Sequence, residues 1–352
     1  MALPNVGVYH DASSTYLNDV QSLTMRQGRM NVSDVYRGGT ATVTGRDPDS
    51  LPTLAIGDEI IVTIDFGDPT YELLRTFRVA DFRISYGIVS NQDTYTVDLE
   101  DAFAFLGRGT VTYTALSGDS VFDTAYEACD QNGVVLTENG TTASETNAQT
   151  LVAANALDVL QTCITTEQAR VYAGSSDLSW YSRGYWLANL NTVTFSDDGT
   201  GTFTYTGIDF GSKADDYATE VIVSVRGGSD VVSGVGDFSI GVNSYSVSTA
   251  EAEYLGDYLL GTLSVTDATI QSLTYQAHTQ TALAVFGPVG VNALCSVKFR
   301  GSTYRGIVEG YSLSATPQSV NVTLNLSDAS FYNFFVLDDP VLGKLDENKL
   351  GW

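Results

Sequence analysis

Residues 77–105 read FRVADFRISYGIVSNQDTYTVDLEDAFAF, and residues 304–332 read YRGIVEGYSLSATPQSVNVTLNLSDASFY. The two stretches align without a gap at a constant offset of 227, with six identical residues in 29 positions. The identities are Arg78 with Arg305, Ser85 with Ser312, Thr96 with Thr323, Leu99 with Leu326, Asp101 with Asp328 and Ala102 with Ala329. Apolar and polar residues alternate in both stretches, and this period of two predicts half-buried strands. The repeat therefore predicts one β-hairpin that occurs twice, with chance similarity between two unrelated hairpins as the alternative.

A strand is also predicted just before each hairpin, at Glu59–Asp65 and at residues 294–300. Other alternating runs, broken by Gly, Asn and Asp, lie at residues 40–44, 192–195, 202–205 and 220–225. Strands therefore dominate the prediction, and the repeat predicts two related small β-barrels, one near each end of the chain. The predicted fold class is mainly β with an inserted α/β segment.

Three stretches depart from this alternation and predict helices, namely residues 120–129, 150–169 and 248–260. The first begins with Ser120 and Asp123 at the spacing of a capping box. The third begins with Ser248 and Glu251 at the same spacing. The second carries an apolar stripe made of Leu151, Ala154, Leu157, Val159, Leu160 and Ile164. Residues 170–181 follow it as a predicted hairpin.

A chain of 352 residues is about two to three times the usual size of one domain, so several packed units are expected. The predicted units are an N-terminal barrel at residues 1–110, an α/β insertion at 111–217, a second barrel with one helix at 218–336 and a C-terminal docking arm at 337–352. The arm consists of two tandem octapeptides in which Leu, Asp, Leu and Gly recur at matching positions. Because it is too short to form a core, it either docks on a neighbour or frays.

The charge balance excludes one class of function. The chain has 42 acidic residues against 17 Lys and Arg, which gives a net charge of −25 at pH 7. General binding of DNA or RNA is not expected, because phosphate contacts need clustered Lys and Arg. The first 20 residues lack the basic start and apolar run of a signal peptide, and no uncharged apolar stretch of about 18 residues occurs. We therefore expect neither a signal peptide nor stable membrane insertion.

Few residues carry the chemistry of catalysis or metal binding. Cys129, Cys163 and Cys295 form no C-x-x-C pair, so buried thiols are expected instead of a zinc site or a disulfide framework. His10 and His278 accompany no hydrolase or nucleotide-binding motif, and surface or loop positions are expected for both. The sequence predicts no cofactor, no metal and no catalytic residue.

Two other features leave alternatives open. The acidic pairs are Asp197 with Asp198, Asp215 with Asp216, and Asp338 with Asp339. They are either glycosidase carboxylates, calcium ligands or solvated turns, and turns are favoured because no EF-hand spacing surrounds them. The aromatic residues in question are Tyr95, Trp180, Tyr181, Tyr185 and Trp186. They form either a carbohydrate platform or, more commonly, β-core and subunit contacts.

The order of these features resembles the hub-type minor tail proteins of long-tailed phages (siphoviruses), which belong to the tail-tip and baseplate hub family. The motifs that carry the resemblance are GDEIIV at 57–62, FRVA at 77–80, YTVDLED at 95–101, ALDVL at 156–160, RVY at 170–172, EVIVSV at 220–225, IVEGYS at 307–312, LDDPVLG at 337–343 and LGW at 350–352. The resemblance covers most of the chain, from about residue 20 to residue 352. None of the motifs is a catalytic signature.

The resemblance implies a hub-like ring subunit. It implies a homotrimer in which each subunit contributes two related barrels, so that the trimer presents a pseudo-six-fold ring. The implied function is to connect the tail tube and the tape measure protein to tip proteins around a central passage for genome ejection. The implied partners are the distal tail protein, the tape measure protein and other tail-tip or fibre proteins, and the implied location is the tail tip of the virion. Acidic residues lining the passage would repel DNA and let it slide.

Two alternatives to the hub are kept. One is a peripheral minor tail or receptor-binding protein that recognises a host surface glycan, and the other is a carbohydrate-active enzyme that uses an Asp pair. The residues expected at interfaces of the hub lie in the two hairpins and the arm. They are Phe77, Tyr95, Leu99, Tyr304, Leu326, Leu337, Leu342, Leu345, Leu350 and Trp352.

Overall fold

The computed structural model describes residues 3–30, 34–67, 73–88, 93–211, 217–264, 269–283, 293–329, 334–335 and 349–350. Its strands are β1 Asn5–His10, β2 Thr15–Tyr16, β3 Val20–Gly28, β4 Thr40–Arg46, β5 Glu59–Asp65, β6 Leu73–Ser85, β7 Thr94–Glu100, β8 Thr110–Ala115, β9 Val135–Asn139, β10 Gln149–Asn155, β11 Arg170–Ala173, β12 Asp177–Tyr181, β13 Asn191–Ser196, β14 Phe203–Thr204, β15 Gly207–Gly211, β16 Glu220–Val225, β17 Val231–Gly234, β18 Ser239–Ser244, β19 Thr269–Ala277, β20 Ala293–Phe299, β21 Ser302–Thr316, β22 Ser319–Asp328, β23 Phe334–Phe335 and β24 Lys349–Leu350. Its helices are α1 Ala102–Leu106, α2 Val121–Asp130, α3 Ala156–Glu167, α4 Arg183–Ala188, α5 Thr249–Leu263 and α6 Gln280–Leu283, with a short 3₁₀ turn at Pro48–Ser50. The prediction of a mainly β chain is confirmed.

The largest sheet contains the same arrangement of six strands twice. The first group has the order β1-β5-β6-β7-β4-β3, and the second has the order β13-β20-β21-β22-β19-β15. The strands at matching positions of the two groups also follow each other in the same order along the chain. Strand β1 therefore corresponds to β13, β3 to β15, β5 to β20, β6 to β21 and β7 to β22. The pairings are antiparallel in both groups, except that β13 runs parallel to β20. The repeated hairpin is therefore part of a repeated topology.

Each repeated hairpin has a β-bulge in its first strand. The extra residue is Ala80 in β6 and Glu309 in β21. The strand pairing also corrects the gapless alignment. Arg83 lies opposite Thr96, and Ser312 lies opposite Thr323, so the residue equivalent to Ser312 is Arg83 and not Ser85. The true offset is thus 229 in the first strand of the hairpin and 227 in the second, because the connection in the first copy is two residues longer.

Two of the six aligned identities are consequently wrong pairs. Arg78 with Arg305 and Ser85 with Ser312 do not occupy equivalent positions, whereas the four matches in the second strand and just beyond it are unaffected by the shift.

The two six-stranded groups join edge to edge. Residues 23–28 of β3 pair antiparallel with residues 310–315 of β21, and apolar side chains of both groups belong to one hydrophobic core. Among the described strands, the pairings close neither group into a barrel. The two predicted barrels therefore stay a prediction.

An α/β segment follows the first group. Helices α2 and α3 pack together between the antiparallel pair of β8 and β10 and a three-stranded sheet of β9, β12 and β11, around a core that contains Trp180. The predicted hairpin at residues 170–181 is confirmed as β11 and β12. Strands β13 to β15, which fall within the predicted 111–217 unit, pair in the second six-stranded group. The predicted unit boundaries otherwise stay a prediction.

The helix predicted at residues 150–169 is partly wrong. Its first part is strand β10, which pairs with β8, and α3 begins only after Asn155. The Asn155 side chain accepts hydrogen bonds from the backbone N–H groups of Leu157 (3.0 Å) and Asp158 (3.1 Å), which makes it the N-cap. The apolar spacing of Leu151 and Ala154 fits a helix and a bulged strand equally, and the cap decides between them.

The second group carries its own insertion, residues 217–264, made of β16 to β18 and α5. The N-cap predicted for α5 is confirmed, since the Glu251 N–H donates to Ser248 Oγ (3.2 Å); the reciprocal bond differs from a standard capping box, because Glu251 Oε2 accepts from the N–H of Val247, one residue before the cap (3.1 Å). In the part of the chain that the structure describes, no helix has the length and apolar character needed to cross a membrane.

Candidate assembly region

A buried ion triad joins the two six-stranded groups to the α/β segment. Arg29 follows β3, Arg170 begins β11, and Glu309 is the bulge residue of β21. Arg29 Nε lies 2.7 Å from Glu309 Oε2, and Arg170 Nη2 lies 2.9 Å from Glu309 Oε1, with a second contact from Arg170 Nη1 to Oε2. The Glu309 and Arg170 side chains are almost completely buried. One carboxylate therefore holds three parts of the chain together.

The local backbone explains why Glu309 points into this junction. A bulge inserts one residue that has no partner in the ladder and re-aims its side chain. Beside it, the Arg29 N–H donates to the Glu309 carbonyl (3.0 Å), and Gly28 adopts a φ of +88°. A Cβ at Gly28 would lie 2.5 Å from the Glu309 oxygen and from Gly310 Cα, so only glycine fits this close approach of two strands.

The triad is charged in spite of its burial. Burial raises the pKa of Glu309, but the adjacent Arg170 and Arg29 outweigh that effect and hold the pKa below its ordinary value. Burial lowers the pKa of Arg29, and Glu309 outweighs it in turn, so that this pKa is raised. The Arg170 guanidinium also lies 4.8 Å from the centre of the Trp186 ring, which adds a cation–π contact from α4.

A second polar cluster extends the junction along β3 and β21. The Tyr311 hydroxyl donates to Gln27 Oε1 (2.9 Å) and accepts from Arg75 Nε (3.1 Å). Gln27 Nε2 donates to the Ala173 carbonyl (2.9 Å), and the Arg75 guanidinium lies 4.9 Å from the Tyr172 ring. These bonds again connect both groups to β11. We infer that the junction fixes how the three parts are oriented.

Asp101, at the end of β7, makes the junction sensitive to pH. Burial raises its pKa to about 7, although hydrogen bonds from the backbone of Ala104, Gly39 and Phe103 and from the Gln27 side chain act in the opposite direction. The folded chain therefore keeps this proton up to a pH at which the unfolded chain, with the ordinary value of 3.8, has lost it. Stability must fall as the pH rises between these two values.

The expected result is that replacing Asp101 with Asn removes this part of the pH dependence. Urea unfolding of the wild-type chain between pH 5 and 8 should give a free energy of unfolding that declines toward about pH 7 and then levels. The Asp101→Asn curve should be flatter over the same interval. Asp123→Asn, at an exposed position in α2, is the control and should keep the wild-type slope. Parallel wild-type and Asp101→Asn curves would contradict the assignment.

The residues predicted at interfaces occupy different environments. Phe77, Tyr95, Leu99 and Leu326 are buried in the core that the two groups share, where they stabilise the strands. Tyr304 is partly buried, with its ring centre 4.8 Å from that of Phe210. The backbone of Leu350 lies in β24, which pairs with β23. The other predicted arm residues, Leu337, Leu342, Leu345 and Trp352, lie outside the described residues. The assignment of this set to subunit contacts stays a prediction.

The triad itself was not predicted. Its sequence signal is a single charge inside an apolar or small-residue run, as in GIVEGY at 306–311 and ARVYA at 169–173. Charged residues are almost never fully buried unless they are paired, so such isolated charges in predicted strands indicate a partner elsewhere in the chain. The sequence contains no information on which partner that is.

The histidine and cysteine residues that could carry catalysis or bind a metal have structural surroundings. His10 is buried, which corrects the expected surface or loop position, and its Nδ1 and Nε2 lie 2.7 Å from Ser13 Oγ and 3.0 Å from Asp58 Oδ2. Ser13 Oγ also lies 2.5 Å from Thr15 Oγ1, so these contacts fasten the β1–β2 turn to the start of β5. The three cysteines are buried free thiols, as predicted. Within the described ranges, no cluster of three or more His, Cys, Asp or Glu side chains is suited to a metal ion.

The acidic pair that the structure describes serves a turn. Asp198 Oδ2 lies 2.5 Å from Lys298 Nζ, near the end of β20, and Asp197 Oδ2 accepts from the N–H of Arg300 in the β20–β21 turn (2.8 Å). The other two pairs lie outside the described residues. The aromatic residues do not form a common surface, because Tyr95, Trp180 and Trp186 are buried. The interpretation as core residues is confirmed for these three, whereas Tyr181 is partly buried and Tyr185 is exposed.

Comparisons with known proteins give likenesses of structure only. Neither a family model nor a curated protein matches the sequence. Among solved structures, the chain is similar to the tail protein from Neisseria meningitidis MC58, with a TM-score of 0.67, 13% identity and coverage of 94% of this chain and 98% of that one. It is also similar to the 43 kDa tail protein of prophage MuSo2 from Shewanella oneidensis, with a TM-score of 0.66, 12% identity and coverage of 92% and 98%.

A third similar structure is the E. coli c3393 protein, a type VI secretion component described as structurally similar to the T4 phage tail proteins gp27 and gp5. Its TM-score is 0.52, the identity is 12%, and 88% of this chain and 73% of that one are covered. These likenesses confirm, at the level of the fold, the resemblance to phage tail proteins. The chain has the fold of phage tail proteins over almost its whole length.

Proposed function

We propose that the chain is a structural subunit of a phage tail tip and acts as the hub that joins the tail tube and tape measure protein to the tip proteins. The observation that carries the proposal is the duplicated six-stranded group. A homotrimer of a chain with two such groups places six similar units around one axis, which is what contact with a six-fold tube requires. The buried junction supports this role because it fixes the two groups relative to each other.

The remaining features fit a hub around a passage. Each six-stranded group would form one of the two small barrels of the ring, with β1 and β3, the end strands of the first group, already close to each other. A net charge of −25 would weaken any attachment of DNA that moves through the centre. The proposed partners are the distal tail protein, the tape measure protein and other tail-tip or fibre proteins, and the proposed location is the tail tip of the virion. The proposed role needs no catalysis.

The direct test is an image of the assembled tail tip at a resolution that separates strands. Three copies of the chain, with all six groups in one ring around an open or closed axis, is the expected result. Copies at the periphery of the tip, bound to a host surface glycan, would support the receptor-binding alternative instead. A tail tip without the chain would overturn the proposal.

We expect deletion of residues 337–352 to abolish incorporation into tails while leaving a folded chain. The arm is proposed to dock on a neighbouring subunit, and the described residues before position 330 contain the three hydrophobic cores without it. Thermal unfolding measures folding, and immunoblots of purified tails measure incorporation. A chain with residues 337–352 replaced by a Gly-Ser segment of the same length separates the loss of the arm from the loss of length. Normal incorporation of either variant would contradict the docking role.

A further inference from the structure

The two six-stranded groups of one chain are joined by strand pairing, and this joint has an equivalent that could connect two copies of the chain. In the joint, the outer edge of β3 from the first group pairs with the second half of β21 from the second group. The corresponding strands are β15 in the second group and the second half of β6 in the first group. Among the described residues, β15 pairs only with β19, and residues 81–85 of β6 pair only with β7. Within the described ranges, the chain thus makes one such joint internally, and both halves of the equivalent joint are unpaired at their outer edges.

The side chains at the open edge of β6 are apolar, as is typical of side chains that a neighbouring strand covers. Phe82, Ile84 and Tyr86 point to one side and are 39%, 39% and 67% exposed. The equivalent residues of β21 are Tyr311, Leu313 and Ala315, which are 1%, 3% and 0% exposed, lie in the shared core and pair with β3. The same positions are therefore buried where the joint is made and exposed where it is not. A strand edge with exposed apolar residues is a template for pairing with another strand.

The other half of the joint fits the same comparison. Ile208 in β15 is equivalent to Leu23 in β3. Leu23 pairs with Val43, which pairs with Val97, and Ile208 pairs with Leu273, which pairs with Leu324. Val97 and Leu324 are equivalent positions of the two groups. Leu23 is completely buried, whereas Ile208 is only partly buried. A strand laid along β15 would complete its burial.

We propose that β15 of one copy pairs antiparallel with residues 82–86, at the end of β6, in the next copy, so that the internal β3–β21 joint is repeated between copies around the ring. The proposal rests on the proposed trimeric hub and specifies its contact. The register follows from the equivalences: Thr24 pairs with Ser314 inside the chain, Asp209 corresponds to Thr24, and Ser85 corresponds to Ser314. Asp209 of one copy is thus opposite Ser85 of the next.

Cysteine cross-linking in purified tails tests this register. Asp209 and Ser85 are both exposed, and opposed residues of antiparallel strands have the Cα separation of a disulfide. A chain with Asp209→Cys and Ser85→Cys should form interchain disulfides that link three copies, whereas either single variant should not. The native cysteines are poor competitors, because they are buried and burial raises the pKa of Cys129 and Cys295 to about 12.

The outcomes separate the contact from the function. Three copies in a ring without the interchain disulfide, or with a disulfide inside one chain, would overturn the joint and leave the hub intact. Tails that lack the chain would overturn the hub and the joint together. As an independent variant, Ile84→Asp should lower the yield of assembled oligomer by more than about tenfold, because the joint would bury an unpaired charge. Its thermal unfolding as a single chain should change little. Arg83→Gln, on the opposite side of the same strand, should assemble far better; the replacement is neutral because Arg83 contacts Asp98 and Asp81, and a third carboxylate there would be repelled.

Discussion

Replacing Glu309 with Gln is expected to lower the free energy of unfolding by about 3–5 kcal/mol at pH 7, which is the cost of removing one partner from a buried ion pair. The Gln side chain keeps the shape of Glu but cannot neutralise Arg29 and Arg170, both of which bind the carboxylate. Two guanidinium groups would then share a buried site without an anion. Urea unfolding followed by fluorescence measures the loss.

The pH dependence of the same variant provides a second measurement. Because the pKa of Glu309 in the folded chain is lower than its ordinary value of 4.5, its stabilisation is present above that value and disappears as the pH falls through the folded value. The wild-type and Glu309→Gln curves should therefore approach each other in acid. Asp198→Asn, which breaks the exposed pair with Lys298, is the control and should have a much smaller effect. Equal losses for the two variants would show that the buried triad stabilises the fold no more than an exposed ion pair does.

The repeated hairpin was predictable from sequence because its signal is local. Alternation along residues 94–99 and 320–326 specifies both strand and buried face, and the structure has strands at both places. The cap of α5 was predictable for the same reason, since Ser248 and Glu251 act within one turn. The alignment in the first strand failed because the connection in the first copy has two more residues, and an even shift changes the register without changing the alternation.

The junction was not predictable because its partners are distant in sequence. Arg29 and Glu309 are 280 positions apart, and their approach depends on pairing between β3 and β21. A charge in a strand indicates that a partner exists, but one sequence does not identify it. The open edges are a similar case. Phe82 and Ile84 have the alternation of buried residues, and only the structure shows that nothing in the described chain covers their outer edge.

Replacing Trp186 with Ala is the other change with a large expected effect, a loss of about 3–5 kcal/mol in the free energy of unfolding. The indole is buried, its Nε1 donates to the Gln168 carbonyl (3.0 Å), and its ring faces Arg170. The variant leaves a large cavity and an exposed face on the guanidinium. Tyr185→Ala, one residue before it in α4 and 39% exposed, is the control with a smaller expected loss.

The two large effects should not be additive, because both Trp186 and Glu309 contact Arg170. Once Glu309 is replaced, Arg170 has lost the group that holds its position, and the ring contact then contributes less. A double-mutant cycle with Glu309→Gln and Trp186→Ala should give a coupling energy of about 0.5–3 kcal/mol, as for other residues that share a partner. Trp180→Ala, in the separate core of the α/β segment, should be additive with Glu309→Gln. Additivity in the Trp186 cycle would mean that α4 and the triad stabilise the chain independently, and that Arg170 does not connect them.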